Sequence, residues 1–143
     1  EFSKTRIQIN LGTELSHCTV ELFKMIAGFG FQNSVTEKSF NDLKSKFMLK
    51  YNISFVATTS EKSKTKAFVD FARNNNFKII SVSHKDLIGI KTPTQSQNSK
   101  KYKDIDCFCE AVALKTAGEN SKIIQKREIS DDRLATIAIA GYE

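Results

Sequence analysis

Apolar residues recur along this chain in short blocks separated by polar, lysine-rich stretches, the pattern of strands and helices taking turns. Residues 1–19 are mostly polar, and the alternation of Ile7, Ile9 and Leu11 predicts an edge strand or the remnant of a preceding domain. The apolar run from Val20 to Phe29, broken by Glu21 and Lys24, predicts a strand entering the glycine turn at Gly28 and Gly30. Ser34-Val35-Thr36-Glu37 has the form of a capping box. Phe40, Leu43 and Phe47 then recur at helical spacing, which predicts a helix that ends at Asn52 and turns its lysines outward. Residues 53–58 read as the next strand. A second helix from about Ser63 places Ala67, Phe68, Phe71 and Ala72 on one side and stops at Asn74-Asn75-Asn76. Residues 77–82 read as a third strand, followed by a capped turn over 83–87.

Residues 91–104 are polar and hold the only proline, so they read as a loop. It leads into a nearly all-apolar helix over about 105–117 that carries one carboxylate, Glu110, with Gly118 as its C-cap. Strands over 121–127 and 134–140, joined by Ser130-Asp131-Asp132, predict a closing hairpin. Because β-α-β crossovers are right-handed and put helices on both sides of a sheet, the expected fold is α/β: a three-layer α/β/α sandwich on a mixed, mostly parallel five-stranded sheet with a C-terminal β-hairpin. A length of 143 residues fits one domain, expected over 20–143 with 1–19 as an extension or linker.

Composition narrows the class. Hydrophobic content of 40% with 27% charged residues marks a folded protein, and no stretch approaches the ~20 apolar residues of a membrane-spanning helix. With neither a membrane segment nor a charged-then-apolar leader in view, a cytoplasmic protein is expected. The net charge of +6 comes with lysine clusters, among them Lys62, Lys64 and Lys66 and also Lys122, Lys126 and Arg127. This balance suits an anionic partner such as a polycarboxylate or phosphorylated metabolite, and it equally suits solvated helix faces. Few arginines and no interleaving of basic and aromatic residues argue against nucleic acid. Cys18, Cys107 and Cys109 read as reduced core thiols, the Cys-x-Cys pair pointing apart on a helix. Neither they nor His17 and His84 show metal-ligand spacing, and no cofactor is implied.

Candidate chemistry lies at two places. A glycine-flanked turn opening a helix can aim backbone N–H groups at an anion, although Gly28 and Gly30 equally serve a sharp turn. Ser34 and Thr36 read as helix caps, without a hydrolase elbow around them. Glu110, alone on an apolar helix, must be satisfied, either as an anchor for a neighbouring loop or as an acid–base group. Lys62 and Lys126 are either cleft cations or surface lysines, and His84 reads as a turn residue.

Over roughly four-fifths of its length the chain resembles the C-terminal domain of the cobalamin-biosynthesis protein CbiG and its stand-alone relative CobE. The resemblance runs through Gly28 and Gly30, Val56-Ala57-Thr58 with Lys62, Ser83 and Leu87, and Pro93 with Thr94 in place of serine. It continues through the Glu helix from Phe108 to Leu114, Lys126, and the strand Thr136 to Ala140. Phe31, Gln32 and Asn33 stand where the family has Cys and a basic pair, and Asp104 replaces a glycine. The resemblance implies a corrin-ring precursor as ligand and other cobalamin-pathway enzymes as possible partners. It implies ligand contacts from Gly28, Gly30, Phe31, Ser34, Lys62, Thr94 and Lys126, with Glu110 as the candidate catalytic residue. Two activities stand beside binding: hydrolysis of a cobalt-precorrin-5A lactone with acetaldehyde release, and a general anion-binding or partner-supporting role.

Overall fold

The computed structural model describes residues 5–8, 19–22, 25–94 and 107–142. Strands β1 (Thr5–Gln8) and β2 (Thr19–Leu22) pair antiparallel in a two-stranded sheet of their own. The expected single strand over 20–29 is therefore two strands. Of the predicted alternation, Ile7 lies in β1, whereas Ile9 and Leu11 lie outside the described residues.

The main sheet holds β3 (Met25–Phe31), β4 (Phe55–Thr59), β5 (Lys78–Val82), β6 (Lys122–Ile129) and β7 (Ala135–Gly141), in the order β5-β4-β3-β7-β6. β3, β4 and β5 pair in parallel, and β7 is antiparallel to both β3 and β6, so β7 alone runs against the rest. Helices α1 (Glu37–Leu43) and α2 (Lys66–Asn74) cover one face, and α3 (Phe108–Ala117) covers the other. This is the expected three-layer α/β sandwich with its closing hairpin.

The sequence of β3 explains why the two faces differ. Successive strand residues point to opposite sides. Ala27, Phe29 and Phe31 join Phe40, Phe68 and Phe71 in an aromatic core under α1 and α2, with Phe29 in contact with the rings of Phe40, Phe68 and Phe71 at centroid distances of 5.6–5.8 Å. Ile26, Gly28 and Gly30 turn to the α3 side, where the packing partners are the small residues Ala111, Ala113, Ala138 and Ala140. A side chain at Gly28 would stand 2.2 Å from the Cys109 carbonyl oxygen and 2.8 Å from the Ala113 nitrogen. Gly28 and Gly30 thus lie inside a strand, not at the expected turn, and neither has positive φ. Their office is close approach of helix to sheet.

Local signals set the helix ends. The capping box sits two residues later than its sequence pattern suggested: Thr36 is the N-cap, and its N–H donates to Ser39 Oγ at 3.4 Å. After Leu43 the backbone continues as a π-helical segment, Lys44–Met48. α2 ends where the asparagines predicted, with Asn76 in the left-handed region at φ 59° and the Phe77 N–H returning to Ala72 O at 2.8 Å.

Glu110 is fully buried and fully partnered. Its Oε1 accepts the Thr94 N–H at 2.9 Å, while Oε2 accepts the Thr94 hydroxyl and the Arg127 N–H, each at 2.8 Å. One carboxylate on α3 thereby fastens the 91–94 loop and strand β6 to the helix. This is the anchor arrangement.

Two substitutions, with a third as comparison, test this packing. Gly28→Ala is expected to lower stability by about 3 kcal/mol, the upper end of ordinary overpacking, because the obstructing atoms are backbone. Gly89→Ala, with nothing within 4 Å of its Cβ position, reports backbone strain at φ +84° alone and serves as the comparison in urea unfolding. Glu110→Gln is expected to cost about 1–3 kcal/mol, since whichever way the amide turns, its NH2 group meets a backbone N–H. An unchanged urea midpoint for Glu110→Gln would refute the anchor.

Candidate functional site

The carboxyl ends of β3, β4 and β5 open on the same side of the sheet. At β3 the chain's path divides: α1, β4, α2 and β5 build outward on one side, and the crossover through α3 reaches β6 and β7 on the other. Open α/β sheets bind ligands in the crevice at such a switch point. Here that place is a cleft of about 600 Å³. Its walls are the end of β3 with the following turn, the β4–α2 loop, the start of α3, and the β6–β7 hairpin.

The cations at its rim come from three separate elements. Lys62 follows β4, Arg127 lies on β6, and Arg133 lies in the hairpin turn. Lys62 Nζ donates to the Phe31 carbonyl oxygen and stands 5.2 Å from the centroid of the Phe31 ring. Burial holds the Lys62 amine below its usual pKa, with the Glu61 charge working in the opposite direction. His84 adds a polar group whose Nδ1 is 3.3 Å from Glu61 Oε1. The Arg133 turn is held by hydrogen bonds: Asp132 accepts the Ser39 and Ser130 hydroxyls, each at 2.5 Å, and the Leu134 N–H at 3.0 Å. Arg133 itself adopts φ 63° in that turn.

The floor is different in character. Thr58, fully buried, donates its hydroxyl to Phe29 O at 2.9 Å, and Thr136 donates to Gly30 O at 3.2 Å, fixing the strand backbones side by side. Cys107, Phe108 and Cys109 bring the N-terminal turn of α3 to the cleft. The positive end of this ten-residue helix's dipole thus lies at the same cleft as the rim cations.

Of the residues expected to contact ligand, Gly30, Phe31, Ser34 and Lys62 line this cleft together. Gly28, Thr94, Lys126 and Glu110 do not. Gly28 is covered by α3, Thr94 is spent on Glu110, and Lys126 is an exposed strand residue whose neighbour Arg127 takes the cleft position instead. Glu110, the candidate catalytic residue, is buried on α3 with its oxygens occupied. Sequence reading did not place Arg127, Arg133, Thr58 or the cysteines in the site. Strand alternation in β6 offered a signal for Arg127, but β6 carries register shifts between Ile123 and Glu128 that spoil simple counting. The Cys107 and Cys109 side chains do not point apart as expected, since their sulfurs lie 3.7 Å from each other. Cys18 and His17 lie outside the described residues. Among the described residues no group of three His, Cys, Asp or Glu side chains is placed to hold a metal ion, and no helix is long and apolar enough to cross a membrane.

Comparison with known proteins adds to this geometry. No curated protein sequence matches the chain. Among solved structures, CobE, described as a protein from the cobalamin (vitamin B12) biosynthetic pathway, superposes with a TM-score of 0.73 at 17% identity, over 90% of this chain and 99% of that one. The cobalamin biosynthesis protein ChiG from Agrobacterium tumefaciens gives a TM-score of 0.62 at 18% identity, over 81% of this chain and 96% of that one. A putative cobalamin biosynthesis protein G homologue from Sulfolobus solfataricus gives 0.61 at 27% identity, over 85% of this chain, which spans 37% of that longer protein. At these identities the likenesses to CobE and ChiG concern the fold. The family described as cobalamin synthesis G C-terminus matches residues 25–140, the whole of the five-stranded sheet but the last residue of β7 together with its three helices, and the chain belongs to that family.

Proposed function

We propose that the cleft binds a corrin-ring precursor through its acetate and propionate side chains, as part of cobalamin biosynthesis. The observation that carries this reading is the meeting of Lys62, Arg127, Arg133 and the α3 N-terminus at the sheet's switch point, in a chain of this family. Each rim cation stands on a different element, so a ligand with carboxylates spread around a ring satisfies them better than a compact anion. The rings of Phe31 and Phe108 and the methylenes of Ile129 and Leu134 supply apolar surface between the charges. A volume of about 600 Å³ lies within the usual range of ligand clefts. A macrocycle would lie with one edge inside and the opposite edge in solvent.

Lactone hydrolysis is a narrower reading with less support. It needs an acid–base residue beside the reacting carbonyl, and Glu110 is held away from the cleft by its three hydrogen bonds. Binding without an assigned reaction is therefore the reading preferred here. Other enzymes of the pathway are its natural partners, delivering or receiving the bound ring.

A visible-absorbance titration with hydrogenobyrinic acid and with a cobalt corrinoid, at low and moderate salt, tests the proposal. Saturable binding that persists at moderate salt is expected, with Lys62→Ala and Arg133→Ala each weakening it by roughly tenfold, the loss of one charge-assisted contact. Competition by heparin as effective as by the corrinoid would indicate a general anion site and reject the proposal. The pH profile has a predicted sign. Lys62 must be charged to hold a carboxylate, and burial lowers its pKa. Affinity should accordingly fall on the alkaline side before ordinary lysines titrate, and Lys62→Arg, which stays charged, should remove that limb.

A further inference from the structure

The floor of the cleft carries two sulfurs that the ionic rim does not use. On a regular helix, residues two apart point in different directions. Cys107 escapes that rule because it is the N-cap of α3, with extended backbone angles of φ −153° and ψ 114°, while Cys109 lies within the first helical turn. The side chain of Cys107 swings towards its neighbour, and the two Sγ atoms stand 3.7 Å apart. A disulfide needs about 2.05 Å between sulfurs, so closure asks the two sulfurs to draw together at a helix end. Among the described buried apolar residues the pair clusters with Ala138, a neighbour too small to wedge between them. Both residues are only 1% exposed, and both line the cleft.

The two thiols are unlike in acidity. Cys107 is held below the ordinary thiol range, chiefly because the Cys109 S–H can donate to its thiolate, with a further contribution from the Glu110 backbone N–H. Burial pushes the Cys109 thiol well above that range. One sulfur is thus disposed to attack and its neighbour remains a protonated donor.

We propose that Cys107 and Cys109 form a redox-active dithiol on the floor of the cleft, with Cys107 the attacking thiol towards a hydroperoxide and Cys109 the resolving one. In the first step the Cys107 thiolate attacks the distal peroxide oxygen. The O–O bond breaks, the leaving alkoxide or hydroxide takes a proton from solvent, and Cys107 becomes a sulfenic acid. In the second step Cys109 sulfur attacks Cys107 Sγ, the S–O bond breaks, and the proton of Cys109 leaves with the hydroxyl as water. Two thiols have lost two electrons and the peroxide has gained them. A small thiol reductant reverses the change by exchange. The alternative of a soft metal ion asks for two thiolates together in a buried place beside the Glu110 carboxylate, whereas the disulfide is neutral.

The experiment uses the whole chain with Cys18→Ser, which leaves the pair as its only thiols. One equivalent of hydrogen peroxide is added to the folded protein at neutral pH, followed by intact-mass and peptide analysis. A loss of about 2 Da within the peptide holding both cysteines, reversed by dithiothreitol, is expected. With Cys109→Ser added, Cys107 should gain one oxygen and be trapped by dimedone. With Cys107→Ser added, Cys109 should resist oxidation. The proposal is overturned if Cys109 oxidises as fast without Cys107, if both thiols survive peroxide in the folded protein and react only after unfolding, or if the bridges formed join separate molecules. Native cysteines that resist peroxide but retain one equivalent of copper(I) would also overturn it, in favour of a metal site. The dithiol chemistry needs no corrinoid, so its failure leaves the corrin reading standing, and the reverse holds as well.

Discussion

The close approach of α3 to β3 governs the rest of the structure. A helix can lie this near a strand only where side chains are missing, and Gly28 supplies the gap, with the Cys109 carbonyl occupying the place a Cβ would take. Alanines on α3 and on the flanking strands β4 and β7 extend the same thin contact along the helix. The opposite face of the sheet is built the other way, with phenylalanines filling a thick layer under α1 and α2. Large side chains on one side and almost none on the other put α3 tight against the strands. Its first turn is consequently delivered to the ends of β3 and β7, where the cleft lies.

A helix held by small residues gains little from apolar area, and a second device keeps it in register. Glu110 is that device. A buried carboxylate costs free energy unless its oxygens are used, and here the loop at Thr94 and the backbone at Arg127 use them. Directional bonds fix rotation and translation of the helix where alanines alone would let it slide. The same bond that satisfies Glu110 also orients the backbone of Arg127, whose side chain lines the cleft. Packing and site geometry are coupled at this one residue.

Much of the fold was legible in the sequence because its signals are local. Apart from the merged run over 20–29, alternating blocks marked the strands of the main sheet within a few residues, Asn74-Asn75-Asn76 stopped α2, and the run 134–140 returned as the antiparallel strand beside β3. Those that misled were also local. Ser34 and Glu37 fit the capping pattern, but Ser34 lies outside the helix in the turn that lines the cleft, and Thr36 with Ser39 does the capping. The glycines looked like a turn because a Gly-x-Gly spacing carries no sign of what passes above it, and α3, which does, is some eighty residues further on. The lone acid on an apolar helix was recognised as needing partners, and only the fold could say which. The Cys-x-Cys pair was misjudged for a related reason: the helix was expected to begin at residue 105, which would have put both sulfurs on helical spacing, whereas its N-cap is Cys107.

The site was legible only in part, and the reason is topological. A switch point gathers the ends of elements that are remote in sequence: α2, β5 and α3 lie between Lys62 and the two arginines, Arg127 on β6 and Arg133 in the turn after it, and the three cations share no motif. Lysine clusters are the visible form of positive charge in this chain, yet clustering follows solvated surfaces and not clefts. Lys126 belongs to such a cluster and stays exposed, while Arg127 beside it lines the cleft. Lys62 is separated from its own cluster by burial, and its amine turns to Phe31 in place of solvent. What distinguishes a binding cation from a solvating one here is therefore the company it keeps across the sheet's switch point. That company is fixed by strand order, which the spacing of lysines along the chain does not record.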